Sequence, residues 1–180
     1  ALRIDWSRVH IFFGDERNVP VSDPESNEGQ ARSALLDRVN VPDENIHGFD
    51  LGAVSMEAAA NAYEPELKEF APLGFDLHLL GMGAEGHINS MFPYSPAVRE
   101  RKELAVPVHD SPKPPSERIT LTLPAVNRSE RVWLLVAGEE KAAAAKSIVD
   151  GVDAEECPAA GARGRKDTIL FLADNAAQEL

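Results

Sequence analysis

The sequence has one cysteine, no long hydrophobic run and few basic residues. Because Cys157 cannot form an internal disulfide, the composition favours a reducing compartment, and we expect a cytoplasmic protein. The longest apolar run, 132–137, is far shorter than the roughly 20 residues that a bilayer span requires. The first residues also have no signal-peptide core. We therefore expect no membrane role.

The shortage of basic residues excludes most nucleic-acid binders, which need a cationic surface. The 180 residues contain 18 lysines and arginines against 30 aspartates and glutamates, for a formal net charge of -12. The densest basic stretch is only Arg163, Arg165 and Lys166. Hydrophobic residues make up 43% of a chain long enough to bury a core, so we expect a single domain over residues 1–180.

Short β-branched and aromatic runs alternate with stretches of helical spacing. The runs predict strands at 9–13, 76–80, 104–108, 118–123, 132–137 and 168–172, with the 76–80 strand buried. The spacing predicts helices at 29–39, with Ser26 or Asn27 as N-cap, at 55–70, with a kink or break at Pro65, at 139–149 and at 173–180. This alternation predicts an α/β fold: an open, mostly parallel sheet with helices on both faces.

Ligands of open α/β sheets bind outside the carboxyl ends of the strands. Three predicted strands are followed by polar segments, at 14–17, 81–87 and 138–141. The second segment matches G-x-G-x-x-G, but the rest of a dinucleotide-binding fingerprint is absent, since Pro93 would stop any following helix. We expect instead that the amides from Gly83 to Gly86 face an anion or oxyanion.

His87 directly follows this glycine-rich turn and is the candidate general base. A neutral imidazole accepts a proton from water when a carboxylate fixes its tautomer. Either Glu85 or Asp15 could be that carboxylate, and the sequence leaves the choice open. The other four histidines are expected to be structural, because His78 lies inside a predicted strand and because no convergent polar neighbours are evident for His10, His47 and His109.

Three cations are candidates for binding an anionic ligand. Arg17 could face a phosphate or a developing oxyanion, or pair with Asp15 or Glu16 at the surface. Arg118 begins a predicted strand. Lys141 opposes the dipole of its predicted helix, which is easier to understand if it faces an anion.

Other chemistries have little support in the sequence. There is no G-x-S-x-G elbow to activate a serine, and Cys157 has no partner base. Neither an H-x-x-x-H motif nor a cysteine pair is present, so we expect no metal and no cofactor.

Three segments give the chain a specific resemblance. Residues 12–20 (FFGDERNVP) with Ser26-Asn27, residues 76–83 (DLHLLGMG) with Gly86-His87, Ser90 and Phe92-Pro93, and residues 118–124 (RITLTLP) occur in order. Together they resemble the signatures of the 6-phosphogluconolactonases.

The resemblance implies a Rossmann-like fold and metal-independent hydrolysis of 6-phosphogluconolactone to 6-phosphogluconate, in the oxidative pentose phosphate pathway. It implies His87 as the base, with Glu85 and Asp15 shaping its charge and orientation. Arg17 would stabilise the oxyanion or hold the substrate. Arg118 and Lys141 would bind the phosphate of this sugar phosphate lactone, and the enzyme is expected to be a monomer or weak homo-oligomer.

The sequence departs from the family pattern at several points. Glu85 replaces the usual Asp, and Asn89 replaces the usual small residue before Ser90. Members normally begin with a further strand-helix unit carrying a Gly-Gly-Ser phosphate loop, which this sequence is expected to lack. Two alternatives stay open: an enzyme like the glucosamine-6-phosphate deaminases, and a non-catalytic sugar-phosphate sensor domain. The deaminase pattern after Gly-His differs from Ser90-Met91-Phe92-Pro93.

Overall fold

A computed structural model describes residues 4–180. The strands are β1 (Ile11–Phe12), β2 (Asp15–Arg17), β3 (Ile46–His47), β4 (Leu77–Gly81), β5 (Ala105–Val108), β6 (Arg118–Leu121), β7 (Arg131–Val136) and β8 (Asp167–Leu172). The α-helices are α1 (Asn27–Ala34), α2 (Met56–Phe70), α3 (Pro96–Arg99), α4 (Leu123–Val126) and α5 (Ala142–Asp150). Short 3-10 helices include Leu36–Arg38, Glu139–Lys141 and Asp174–Ala176.

The strands form three hydrogen-bonded groups. β4, β7 and β8 form a parallel sheet in the order β4-β7-β8, and β1 pairs in parallel with β3. β2, β6 and β5 form an antiparallel sheet in the order β2-β6-β5. The predicted α/β class with parallel strands is confirmed, but the antiparallel sheet was not predicted. Its register places Arg17 directly opposite Arg118.

In α1 and α2, serine N-caps fix where the helix begins, and α2 also contains a proline in its interior. α1 begins after Ser26, whose hydroxyl accepts a hydrogen bond from the Gly29 amide, as the N-cap prediction required. α2 begins after Ser55 in the same way and continues through Pro65, so of the kink or break predicted there, the break is wrong and the kink stays a prediction. Buried residues on both sides of Pro65, including Tyr63 and Leu67, hold the helix against the core.

The helix predicted at 173–180 is also wrong, because only the 3-10 turn Asp174–Ala176 forms. Eight residues are too few to sustain an isolated helix by alanine content alone. Local contacts fix the segment instead: the Asn175 side chain accepts a hydrogen bond from the Gly138 amide. The single domain predicted for the chain stays a prediction, and the described core consists of two hydrophobic clusters.

β4 is buried on one face only, contrary to the sequence prediction. His78 and Leu80 are buried, whereas Leu77 and Leu79 are 39% and 57% exposed. Within residues 4–180, β1 and β4 each pair with one neighbouring strand, and both line a groove of about 520 Å³. Nothing in the described part of the chain covers the outer face of β4, which explains its alternating burial. No helix in residues 4–180 is long and apolar enough to span a membrane.

Candidate active site

The turn after β4 places His87 beside two glycines. The Gly83 amide donates to the His87 carbonyl at 3.0 Å, and the Gly86 amide donates to the Gly83 carbonyl at 3.0 Å. Gly86 has φ +85°, a left-handed conformation that favours glycine. A Cβ at Gly83 would overlap the imidazole of His87, so the ring lies directly over the Gly83 backbone. At Gly83 the close approach is between the backbone and the imidazole of His87, whereas the sequence predicted an approach between the backbone and an anionic ligand.

Glu85 is the carboxylate nearest to His87. Its Oε1 lies 3.2 Å from His87 Nδ1, at ion-pair distance although without hydrogen-bond geometry. The other ring nitrogen, Nε2, is thereby left for a water or ligand. The imidazole packs against Phe92, with 4.5 Å between the ring centroids, and its side chain is 16% exposed. Of the two carboxylates that the sequence left open, Glu85 is the one in contact with the imidazole.

Burial, more than the neighbouring charges, favours the neutral imidazole of His87. Burial has the largest effect and lowers the pKa of His87, and the ammonium of Lys113 lowers it further. Glu85 and, more weakly, Asp15 act in the opposite direction without reversing the shift. For Glu85, partial burial raises the pKa, but hydrogen bonds from its own amide and from Lys113 outweigh this and lower it. A neutral imidazole beside an ionised carboxylate is the state that a general base requires.

Asp15 belongs to a neighbouring polar network. Its Oδ2 accepts a 2.6 Å hydrogen bond from the buried Ser90 hydroxyl, and its Oδ1 accepts one of 2.9 Å from Asn27 Nδ2. Arg118 Nη1 lies 3.9 Å from Asp15 Oδ2. Asp15 thus reaches His87 through its charge and not through a direct bond. Ser90 is fully buried and bonded to a carboxylate, which agrees with its rejection as a nucleophile.

Arg17 is held by Asn27 rather than by the acidic residues beside it. Its Nη1 donates to Asn27 Oδ1, while its Nε is buried without a hydrogen-bond partner among residues 4–180. Glu16 is buried and accepts hydrogen bonds from the Ser26 hydroxyl and from the amides of Arg17, Asn27 and Glu28. The surface salt bridge considered for Arg17 does not form. Arg17 therefore retains donor capacity for an anion.

Arg118 is buried, and most of its donors face main-chain carbonyls. Nε donates to Pro115 at 2.9 Å, and Nη2 donates to Lys113 at 2.9 Å and to Pro114 at 3.4 Å. Burial, the largest influence, and the charge of Arg17 opposite it both lower the pKa of Arg118. Like charges directly opposite across strands are unfavourable, so the Arg17–Arg118 pair marks a place that favours an anion.

Lys141 is not joined to this group. In residues 4–180 no hydrogen bond or ion pair links Lys141 to His87, Arg17 or Arg118, although it follows β7 as predicted. Among the described residues, no cluster of three His, Cys, Asp or Glu side chains could hold a metal ion. Cys157 is buried against Gly86, and burial raises the pKa of its thiol, which suits a passive role.

The sequence analysis missed three residues of this site. Lys113 Nζ lies 3.0 Å from both carboxylate oxygens of Glu85, although it is 28 residues away in the chain. Asn27, considered only as a helix cap, connects Asp15 with Arg17. Glu16, considered only as a surface partner for Arg17, fixes the start of α1. The available signals for the last two were the motif at residues 12–20, which contains Glu16, and the Ser26-Asn27 pair.

The fold and this site define an α/β protein with a neutral histidine, an ionised carboxylate and several cations, suited to acting on a small anionic molecule. Residues 1–171 match the model of the family described as glucosamine-6-phosphate isomerases/6-phosphogluconolactonase. The chain belongs to this family, as its motifs predicted.

Individual relatives agree with this assignment. The chain is 52% identical to the 6-phosphogluconolactonase of Mycobacterium tuberculosis over 190 residues, covering 100% of this chain and 76% of that protein. It is 44% identical to the 6-phosphogluconolactonase of Streptomyces coelicolor, covering 98% of this chain and 72% of that protein. The crystal structure of 6-phosphogluconolactonase from Thermotoga maritima is similar, with a TM-score of 0.86 and 32% identity over 95% of this chain and 75% of that one.

Proposed function

We propose that the protein hydrolyses 6-phosphogluconolactone to 6-phosphogluconate, the lactonase step of the oxidative pentose phosphate pathway, with His87 as general base. The names of its relatives, at up to 52% identity over the whole chain, support the activity. The observation that carries the role of His87 is its position: a neutral imidazole over Gly83, with Nδ1 beside Glu85 and with no hydrogen bond from residues 4–180 to Nε2.

The proposed reaction is an acyl transfer to water. Nε2 of His87 takes a proton from water while the water oxygen bonds to C1 of the lactone, and negative charge develops on the carbonyl oxygen. The bond between C1 and the ring oxygen then breaks, and the ring oxygen takes the proton from Nε2. The carboxylic acid produced loses its proton to solvent, so His87 ends the cycle neutral.

Charge supports distinct roles for the neighbouring residues. Glu85 would hold the Nδ1 side of the ring and stabilise the imidazolium that forms during the reaction. Asp15 would stabilise the same charge from a greater distance, as its effect on the pKa of His87 indicates. Arg17, with a buried Nε that has no partner, is the strongest candidate to contact the oxyanion or the phosphate.

Two further predictions from the family resemblance have less geometric support. Arg118 could offer the phosphate only Nη1, because its other donors are engaged by carbonyl oxygens. Lys141 follows β7, which favours a place at the site, but within residues 4–180 it makes no hydrogen bond or ion pair with the other site residues. The amides of Gly83 and Gly86 already bind carbonyl oxygens within the turn, which weakens their proposed role in binding an anion.

The direct test mixes the purified protein with freshly generated 6-phosphogluconolactone and follows acid release against the spontaneous rate. We expect a large excess over spontaneous hydrolysis that a chelator does not reduce. No excess would contradict the lactonase assignment, and chelator-sensitive turnover would contradict metal independence. Glucosamine 6-phosphate, tested in parallel for ammonia release, is expected to give none; release would favour the deaminase alternative.

The remaining proposals concern assembly and compartment. We propose a monomer or weak homo-oligomer acting in the cytoplasm, where a lone buried thiol such as Cys157 stays reduced. Light scattering coupled to size-exclusion chromatography and cell fractionation test the two points separately. A stable oligomer at nanomolar concentration, or recovery outside the cytoplasm, would contradict them.

A further inference from the structure

The loop between β5 and β6 is fastened to the protein by a buried arginine. Arg118, 4% exposed, uses Nε and Nη2 to bind the carbonyl oxygens of Lys113, Pro114 and Pro115. Within the loop, the Ser111 hydroxyl donates to the Lys113 carbonyl at 3.0 Å and accepts from the Lys113 amide at 3.3 Å, which stiffens the turn around Lys113. The backbone of Lys113 is therefore fixed from two sides.

The side chain of Lys113 reaches from this fixed backbone to the His87 site. Its Nζ lies 3.0 Å from both Glu85 oxygens, and its side chain is 46% exposed. Glu85 in turn lies beside His87 Nδ1. The Lys113 ammonium thus stands at the solvent-facing edge of the site. At that position the ammonium can bind an incoming anion in place of Glu85 or together with it. The buried guanidinium of Arg118 is less free to do so, because its donors are bound to carbonyl oxygens.

We propose that Lys113 binds the phosphate group of the substrate and that Arg118 is a positioning residue, which acts by holding the Lys113 loop. This inference rests on the proposed lactonase function and adds a binding residue to that site. The partly exposed ammonium of Lys113 is a compact point charge on a flexible stem, and lysine binds phosphate groups as such a point charge. The planar guanidinium suits several carbonyl oxygens in a fixed arrangement.

The first test compares a phosphorylated and an unphosphorylated lactone. In Lys113→Gln we expect KM for 6-phosphogluconolactone to rise roughly 10- to 100-fold, the loss of one charge-assisted hydrogen bond. KM for 1,5-gluconolactone should be unchanged, and Lys113→Arg should recover most of the loss. Lys68→Gln removes a lysine from another exposed Lys–Glu pair, with Glu64, and should leave both substrates unaffected.

The Lys113→Gln variant should also differ from the unmodified protein in the pH dependence of kcat/KM. Because the Lys113 ammonium lowers the pKa of His87, Lys113→Gln should move the acidic limb of kcat/KM upward in pH. Equal losses for the two lactones would overturn phosphate binding, and so would an unchanged KM in an active variant. Absence of turnover in the unmodified protein would instead contradict the proposed function, so the two failures are distinguishable.

The positioning role of Arg118 requires a separate comparison. Arg118→Lys keeps the charge but cannot reach three carbonyl oxygens with a planar fork. We expect it to raise KM for the phosphorylated lactone when Lys113 is present and to add little in a Lys113→Gln background. Fully additive effects on KM in folded variants, checked by circular dichroism, would overturn it. For a variant that fails to fold, Ser111→Ala is the alternative, because it removes the hydrogen bonds inside the loop that fix the Lys113 backbone and should act in the same direction.

Discussion

The imidazole of His87 lies so close to Gly83 that a Cβ at residue 83 would overlap the ring. The hypothetical Cβ would also come within 2.7 Å of Glu85 Oε2. Because glycine has no side chain beyond a hydrogen atom, His87 and Glu85 can both lie against the same turn at residue 83.

Gly83→Ala tests this close approach. We expect the new methyl group to displace His87 and to lower kcat by roughly 10²-fold or more, the smaller end of a general base's contribution. Gly81→Ala is the matched control, since a Cβ at Gly81 has no atom within 4 Å. Steady-state kinetics on 6-phosphogluconolactone measure both variants. Near-normal kcat in a folded Gly83→Ala protein would contradict the geometry.

The pH dependence should report the neutral state of His87. Its lowered pKa implies that kcat/KM stays constant through neutral pH and falls only below the ordinary value of 6.5, as the imidazole is protonated. Glu85 raises the pKa of His87, so Glu85→Gln should move the acidic limb to lower pH, opposite to Lys113→Gln. Profiles of kcat/KM against pH measure the shifts. Movement of both variants in one direction would refute the electrostatic account.

Glu16 should contribute mainly to stability. Its buried carboxylate accepts two amide hydrogen bonds at the start of α1, a place that favours negative charge. Glu16→Gln should lower the free energy of unfolding by about 2 kcal/mol. The exposed Glu25→Gln serves as control and should change it little. Urea unfolding compares them, and equal stability of the two variants would disagree with the structure.

Cys157 should be unreactive in the folded protein. Burial raises the pKa of its thiol, and the thiolate is the reactive form. We expect slow alkylation by iodoacetamide at pH 7.5, with fast alkylation after denaturation in urea. Cys157→Ala should keep kcat within about twofold, because the proposed hydrolysis uses water as the nucleophile and needs no thiol. Fast native labelling with loss of turnover would overturn the passive role.

Local patterns in the sequence indicated part of this site, and long-range contacts determined the rest. The glycine turn with His87 could be predicted because strand, turn and histidine are contiguous. Lys113 could not be predicted as part of the site, because its approach to Glu85 depends on the conformation of the loop that Arg118 holds. Arg118 was recognised as important, but its engagement with carbonyl oxygens depends on the fold of that loop.

The fold shows the same division. Helix starts at Ser26 and Ser55 were readable because a cap is a local interaction. The strand β2 could not be predicted, because the residues Asp15-Glu16-Arg17 have little strand propensity. In the described residues they form a strand by pairing with β6. The exposed face of β4 could not be predicted either, because a run of apolar residues gives no information about which other elements pack on each face of the strand.

The turnover of His87→Ala tests the central claim most directly. Single-turnover and steady-state measurements on 6-phosphogluconolactone, with 6-phosphogluconate binding measured by calorimetry, separate chemistry from binding. The account predicts a kcat lower by roughly 10²- to 10⁴-fold with product affinity largely kept. A correctly folded His87→Ala protein with near-normal kcat would contradict it.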